Sequence, residues 1–138
     1  KDDTNIFHQK MEEACLPYDE NYYPKFKKRC DEYFYLPHRN EPRGEGGIFF
    51  DYMNTGDWET DFDFVKDVGR KTLEAITTIV NQHKELSWTA QEKDEQLLKR
   101  GRYVEFNLLW DRGTLFGIKT GGSTEAILMS MPPTVKWA

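Results

Sequence analysis

Apolar residues near the start of the chain fall at mixed three- and four-residue intervals. Ile6, Phe7, Met11, Ala14 and Cys15 share one side of residues 5–16, with Glu12 and Glu13 opposite. That spacing predicts a short amphipathic helix, closed at Leu16-Pro17 because a residue before proline avoids the helical region. A second helix is expected from Pro24, which suits a first-turn position, to about Tyr35. The next stretch, Pro37 to Gly47, holds two prolines and three glycines among polar residues and reads as a loop without regular structure. It feeds Ile48-Phe49-Phe50-Asp51-Tyr52-Met53, a short run of β-formers expected as a strand. From about Trp58 to Lys84 the period is again helical, with Phe62, Val65, Val68, Thr72, Ala75, Ile76, Ile79 and Val80 on one face. A further helix is expected over Thr89–Lys99, with Thr89 as N-cap and Glu92 three residues on.

The last third changes period. Arg102–Trp110 alternates, with Val104, Phe106, Leu108 and Trp110 on one side and Tyr103, Glu105, Asn107 and Leu109 on the other. Turn residues at 111–114 and 121–124 separate this run from Leu115–Thr120 and Ala126–Met131. The expectation is three strands in an antiparallel meander. The fold class read from the pattern is α+β, an antiparallel sheet flanked by helices.

The chain's 138 residues fit one domain, 1–138. Its 19 basic and 24 acidic residues give a net charge of −5, which argues against a general nucleic-acid binder. No apolar run approaches the ~18 residues of a membrane span, and the opening Lys1-Asp2-Asp3-Thr4 has no secretory signal's apolar stretch. Cys15 and Cys30 lack CxxC spacing and read as reduced intracellular thiols.

Chemistry is concentrated in the loops. Arg39 and Arg43, with His38, sit in the glycine-rich loop; two guanidiniums so close suit carboxylates, either of a ligand or of the neighbouring Glu41 and Glu45. In Asp111-Arg112-Gly113-Thr114 the aspartate suits a turn, bonding its own backbone, whereas Arg112 is not explained by turn chemistry. Thr120-Gly121-Gly122-Ser123-Thr124 reads as a hairpin turn whose amides suit an anion, though glycine pairs are ordinary in hairpins. His8, His38 and His83 have no metal-binding spacing of their own.

Residues 23–55, containing PHRNEPRG, and 100–137, containing DRGT, closely resemble the C-terminal half of the oxygen-dependent coproporphyrinogen III oxidase family; the likeness runs from about Ile6 to Trp137. The resemblance implies oxidative decarboxylation of two propionates of coproporphyrinogen III to vinyl groups, giving protoporphyrinogen IX in haem biosynthesis. It implies dioxygen as co-substrate, no organic cofactor, a large flat antiparallel sheet and a homodimer formed through residues 103–138. A divalent metal is associated with bacterial members, and the matching positions here are His8 and His38. The positions matching Gly121, Gly122 and Ser123 touch substrate. Arg39, Arg43 and Arg112 then supply the positive charge that four propionates need, and Asp111 can accept pyrrole N–H groups and stabilise positive charge on the ring. Asp111 and Arg112 are the candidate catalytic residues. Cytoplasmic location is expected, with the mitochondrion as the alternative.

Two positions depart from the family pattern. Ser123 stands where many members carry arginine, and Tyr52 stands where the usual strand ending reads Asp-Asp. The family's acid–base histidine and N-terminal half lie upstream of this sequence, so the isolated chain is expected to be inactive. Two functions fit: the substrate- and dimer-forming half of an oxidase, or a non-catalytic tetrapyrrole-binding or dimerisation module.

Overall fold

From residue 57 on, helices begin where the sequence supplies a cap, at Asp57, Thr89, Asp111 and Ser123. The computed structural model describes residues 2–137, and among them lie α1 (Asp2–Cys15), α2 (Tyr22–Tyr33), β1 (Tyr35–Leu36), β2 (Glu41–Pro42), α3 (Trp58–His83), α4 (Ala90–Leu109), α5 (Arg112–Lys119) and α6 (Thr124–Leu128). The fold class is α+β, with one small antiparallel sheet of two strands. The chain divides into two units: one runs to Tyr33 and resumes over Glu45–Leu86, and the other joins Phe34–Gly44 to the chain from Ser87 on.

In the first unit α1 packs along α3. Asp57 caps α3, accepting from the Glu59 amide at 3.1 Å and the Thr60 hydroxyl at 2.6 Å. The core joins Cys15, Phe26 and Phe64. Around Phe64 the rings of Tyr18, Tyr22 and Phe50 stand 5.0 to 5.3 Å away between centroids, contacts each contributing about 0.5–1.5 kcal/mol beyond burial. Cys15 and Cys30 are buried and not joined in a disulfide, and burial pushes the Cys15 thiol up to about 11.

Two expectations are corrected in this unit. Ile48–Met53 forms no strand; its Phe49 amide donates to the Phe26 carbonyl at 3.1 Å, while Ile48, Phe50 and Met53 pack on the aromatic core. Side-chain burial, not a ladder, holds this segment. On α3, the buried stripe runs through Phe64 and Ala75, so Phe62, Val65, Ile76 and Val80 are about half exposed rather than core-facing.

In the second unit β1 and β2 form a hairpin, with Tyr35 opposite Pro42 and Leu36 opposite Glu41. The loop read as irregular thus contains a strand, and proline is accommodated because a two-stranded ribbon is all edge. Asn40 has φ +56°, and its side chain accepts from the Tyr35 hydroxyl at 2.6 Å, which closes the turn at Pro37–Asn40. Leu36 and Phe106 are fully buried, and the Phe34 and Phe106 rings meet at 5.1 Å.

The expected meander is not present: Arg102–Leu109 lies in α4 with Trp110 as its C-cap, Leu115–Thr120 lies mostly in α5, and Ala126–Met131 overlaps α6. The capping box at Thr89 and Glu92 forms as expected and starts a helix that runs on to Leu109. Gly101 and Phe106 are buried, and Glu105 and Arg102 turn the same way, a 3.6-residue period that the nine-residue alternation masked. Gly101 fits its position because the Lys136 carbonyl lies against it, where a Cβ would overlap, and the Lys136 amide donates to the Leu97 carbonyl at 3.1 Å. The Gly121-Gly122 pair ends a helix instead of turning a hairpin. Gly121 has φ +72°, its amide donates to the Ile118 carbonyl at 3.2 Å, and that of Gly122 donates to the Gly117 carbonyl at 2.9 Å. This is the double bond pattern that closes a helix on a left-handed residue.

Candidate functional site

The hairpin between β1 and β2 presents His38 and Arg39 at its turn, and α4 supplies the acidic partner. Arg39 donates from Nε to Glu105 Oε2 at 2.5 Å and from Nη2 to Oε1 at 2.6 Å, a two-pronged pairing. His38 Nε2 lies 2.8 Å from the same Oε2. Arg102 Nη1 stands 3.7 Å from Glu105 Oε1, within ion-pair range but beyond a hydrogen bond, while its Nε donates to Glu41. The Glu105 side chain is only 10% exposed. The Arg39 guanidinium, aided by His38, holds the Glu105 carboxyl down at about 2 against the upward pull of burial.

Arg43 is held differently. Its guanidinium lies 4.1 Å from the Phe34 ring centroid, with Phe106 at 5.1 Å and Tyr103 at 5.2 Å, a cation stacked among aromatic faces. Of the internal partners considered for the two arginines, Glu41 meets Arg102, and the principal acid at Arg39 is Glu105.

Asp111 caps α5, its Oδ2 accepting from the Thr114 amide at 2.7 Å and hydroxyl at 2.8 Å. Arg112 opens the same helix. Ser123 caps α6, accepting from the Ala126 amide at 3.4 Å. Since the Gly121 and Gly122 amides serve α5, the turn lacks the free amide cradle expected of it; the Ser123 hydroxyl still has its own proton to donate. Gly122 has a second constraint, because a Cβ there would lie 3.0 Å from the Gly117 carbonyl oxygen and 3.2 Å from Ile127 Cδ1.

A divalent ion at His8 and His38 needs an unprotonated nitrogen from each ring. His8 is on α1 in the first unit, with Nδ1 3.1 Å from the Tyr23 hydroxyl and Nε2 3.4 Å from the Glu45 carbonyl oxygen. A carbonyl only accepts, so Nε2 carries the proton and Nδ1 faces the hydroxyl. His38, in the second unit, accepts at Nδ1 from the Trp110 indole N–H at 3.1 Å and donates from Nε2 to Glu105. Both rings therefore have each nitrogen engaged, and as they stand the pair does not fit a shared metal ion. Among the described residues no group of three or more His, Cys, Asp or Glu is placed to hold one. The third histidine, His83, sits 3.0 Å from Asp3 Oδ1.

The structure thus gathers His38, Arg39 and Arg43 around α4 and adds Glu41, read from the sequence as a possible arginine partner, with Arg102, Glu105 and Trp110, which the sequence reading did not single out as site residues. Their signal was Arg102 and Glu105 at helical spacing, hidden while 102–110 was read as a strand. In the first unit a cleft of about 370 Å³ is lined by Tyr22, Lys25, Phe26, Arg29, Phe49 and Tyr52, among others. Tyr52 there is 96% exposed with φ +55°.

Comparison with known sequences is decisive on kinship. Residues 1–138 match the sequence profile of the family described as coproporphyrinogen III oxidase. The chain belongs to the coproporphyrinogen III oxidase family. It is 60% identical over 138 residues to the oxygen-dependent coproporphyrinogen-III oxidase of Rickettsia bellii (strain OSU 85-389), covering 100% of this chain and 50% of that protein. The oxidase of the same name from Rickettsia africae (strain ESF-5) is 60% identical over 137 residues, covering 99% of this chain and 49% of that protein. That from Rickettsia akari (strain Hartford) is 59% identical over 137 residues. The chain spans about half the length of the curated relatives it matches.

Proposed function

We propose that residues 1–138 form one portion of an oxygen-dependent coproporphyrinogen III oxidase domain, the part that holds the substrate's propionates and orients the macrocycle. The observation that carries this reading is the 60% identity over the whole chain to the Rickettsia bellii oxidase. Each turnover converts a propionic acid side chain and dioxygen to a vinyl group, carbon dioxide and, by balance, hydrogen peroxide. The protein's task is to hold an anionic tetrapyrrole and to stabilise positive charge as carbon dioxide leaves. Arg39, Arg43 and Arg112 supply the positive charge that pairs with the propionates. Asp111 accepts from pyrrole N–H groups. The Gly121-Gly122-Ser123 junction lies against the substrate, with the Ser123 hydroxyl as donor. No step here runs through a metal, because the rings of His8 and His38 are both engaged in protein hydrogen bonds.

The same reading includes a homodimer through residues 103–138, supported by Leu108, Leu109, Trp110, Phe116, Ile118 and Met129, all 40% or more exposed. A cytoplasmic location is supported by the bacterial relatives; separately, among the described residues no helix is long and apolar enough to cross a membrane. The test is a titration with coproporphyrin III, the oxidised analogue, followed by quenching of tryptophan fluorescence. Saturable binding that Arg112→Ala weakens about tenfold is expected. A folded protein that does not bind coproporphyrin III contradicts the reading.

A further inference from the structure

One carboxylate orients two candidate site residues. We propose that Glu105 is a positioning residue: together with the Trp110 indole it holds the His38 ring in one orientation, Nδ1 toward the indole N–H and Nε2 toward the carboxylate, and it fixes the Arg39 guanidinium in one plane.

The geometry leaves each ring nitrogen one role. An indole N–H is only a donor, so His38 Nδ1, 3.1 Å away, is unprotonated and accepts. Nε2 then bears the proton and gives it to Glu105 Oε2 at 2.8 Å. The imidazole is held from both sides, and its rings' planes lie 21° from that of Trp110. Arg39 shares Oε2 through Nε and takes Oε1 through Nη2, which restricts the guanidinium to the carboxylate plane. Arg102, anchored on Glu41, approaches Oε1 from the same helix. Glu105 is nearly buried, so water does not compete strongly for these donors. The consequence for His38 is specific: it orders the site by hydrogen bonding and is not a metal ligand. That Arg39 so fixed faces substrate rests on the function proposed above; the locking of the two side chains does not.

Nitrogen-detected NMR on the protein separates these claims. In the wild type, His38 should show an unprotonated Nδ1 and a protonated Nε2, and a tenfold excess of Zn²⁺ should leave both signals in place. The Arg39 Nε–H and His38 Nε2–H protons should exchange slowly with water. Glu105→Gln should speed exchange of both about tenfold or more, Glu105→Asp should restore part of the protection, and Trp110→Phe should affect His38 alone. Zn²⁺ shifting the His38 ring nitrogens of the wild type, the opposite tautomer, or Arg39 exchange unmoved by Glu105→Gln would each overturn the proposal; the wild-type and Trp110→Phe results decide it even where Glu105→Gln fails to fold. Coproporphyrin III affinity should fall about tenfold in Glu105→Gln and recover in part in Glu105→Asp. Wild type that binds no porphyrin while the exchange pattern holds would refute the proposed function and leave the positioning intact; porphyrin bound equally by all variants would refute the positioning of Arg39 for substrate.

Discussion

Glu105 is shared by Arg39, His38 and Arg102 in the second unit, and its burial gives that pairing a measurable pH signature. Arg39 lies across both carboxylate oxygens, His38 donates to one, and Arg102, itself on Glu41, faces the other; together they lower the carboxyl from 4.5 to about 2. A carboxyl with a lower value folded than unfolded binds its proton more readily in the unfolded chain. Its contribution is therefore complete above about pH 4.5 and is lost as pH falls toward 2, on the order of 3 kcal/mol in all. Urea unfolding at pH 6 and pH 3 should show the wild type losing more stability than Glu105→Gln over that interval. Equal losses would mean that Glu105 is not held in this pairing. Asp111 poses a different question, since one side chain is both a helix cap and the candidate acceptor for pyrrole N–H groups. Asn keeps the capping oxygen and Ala does not. Asp111→Asn should unfold within about 0.5 kcal/mol of wild type yet bind coproporphyrin III more weakly, whereas Asp111→Ala should lose ~1 kcal/mol of stability as well. Wild-type affinity in Asp111→Asn would assign Asp111 to the cap alone.

Helices α1, α2 and α3 and the capped start of α4 were legible in the sequence because their signals are local: a cap, a proline, a repeated apolar interval. The strands expected over 102–131 failed where local pattern is ambiguous. Nine residues of alternation also satisfy a helix, and Gly101, just before them, is small because the Lys136 carbonyl packs against it. Contacts between residues 35 apart leave no mark on local spacing. Likewise Gly121-Gly122 could close a helix or turn a hairpin, and the choice depends on what precedes it, here α5. The candidate site was half visible: His38, Arg39 and Arg43 lie close in sequence, but Glu105 stands 66 residues from Arg39. Two of the helical glycines, Gly101 and Gly69, make the point testable. Gly101→Ala should destabilise the protein by about 1–3 kcal/mol through overlap with the Lys136 carbonyl. Gly69→Ala, in α3 with open space around it, should stabilise by ~0.5–1 kcal/mol. Thermal unfolding of both variants gives the two signs; the same sign for both would contradict the close approach at Gly101.

At the scale of the molecule, the chain spans about half the length of its relatives and presents many apolar side chains, among them Trp58, Leu73, Trp88 and Phe116, each more than 60% exposed. Such surfaces fit a chain that works in contact with other protein, and of these Phe116 lies in the segment proposed for the dimer. The central claim is that these residues supply the propionate-holding part of an oxygen-dependent oxidase. Its most direct test replaces the matching half of the Rickettsia bellii oxidase with residues 1–138 and follows coproporphyrinogen III by chromatography with and without dioxygen. The account predicts oxygen-dependent formation of protoporphyrinogen IX, falling about a hundredfold or more in the same chimera carrying Asp111→Asn. A folded chimera that binds coproporphyrin III but forms no vinyl product under oxygen would contradict it.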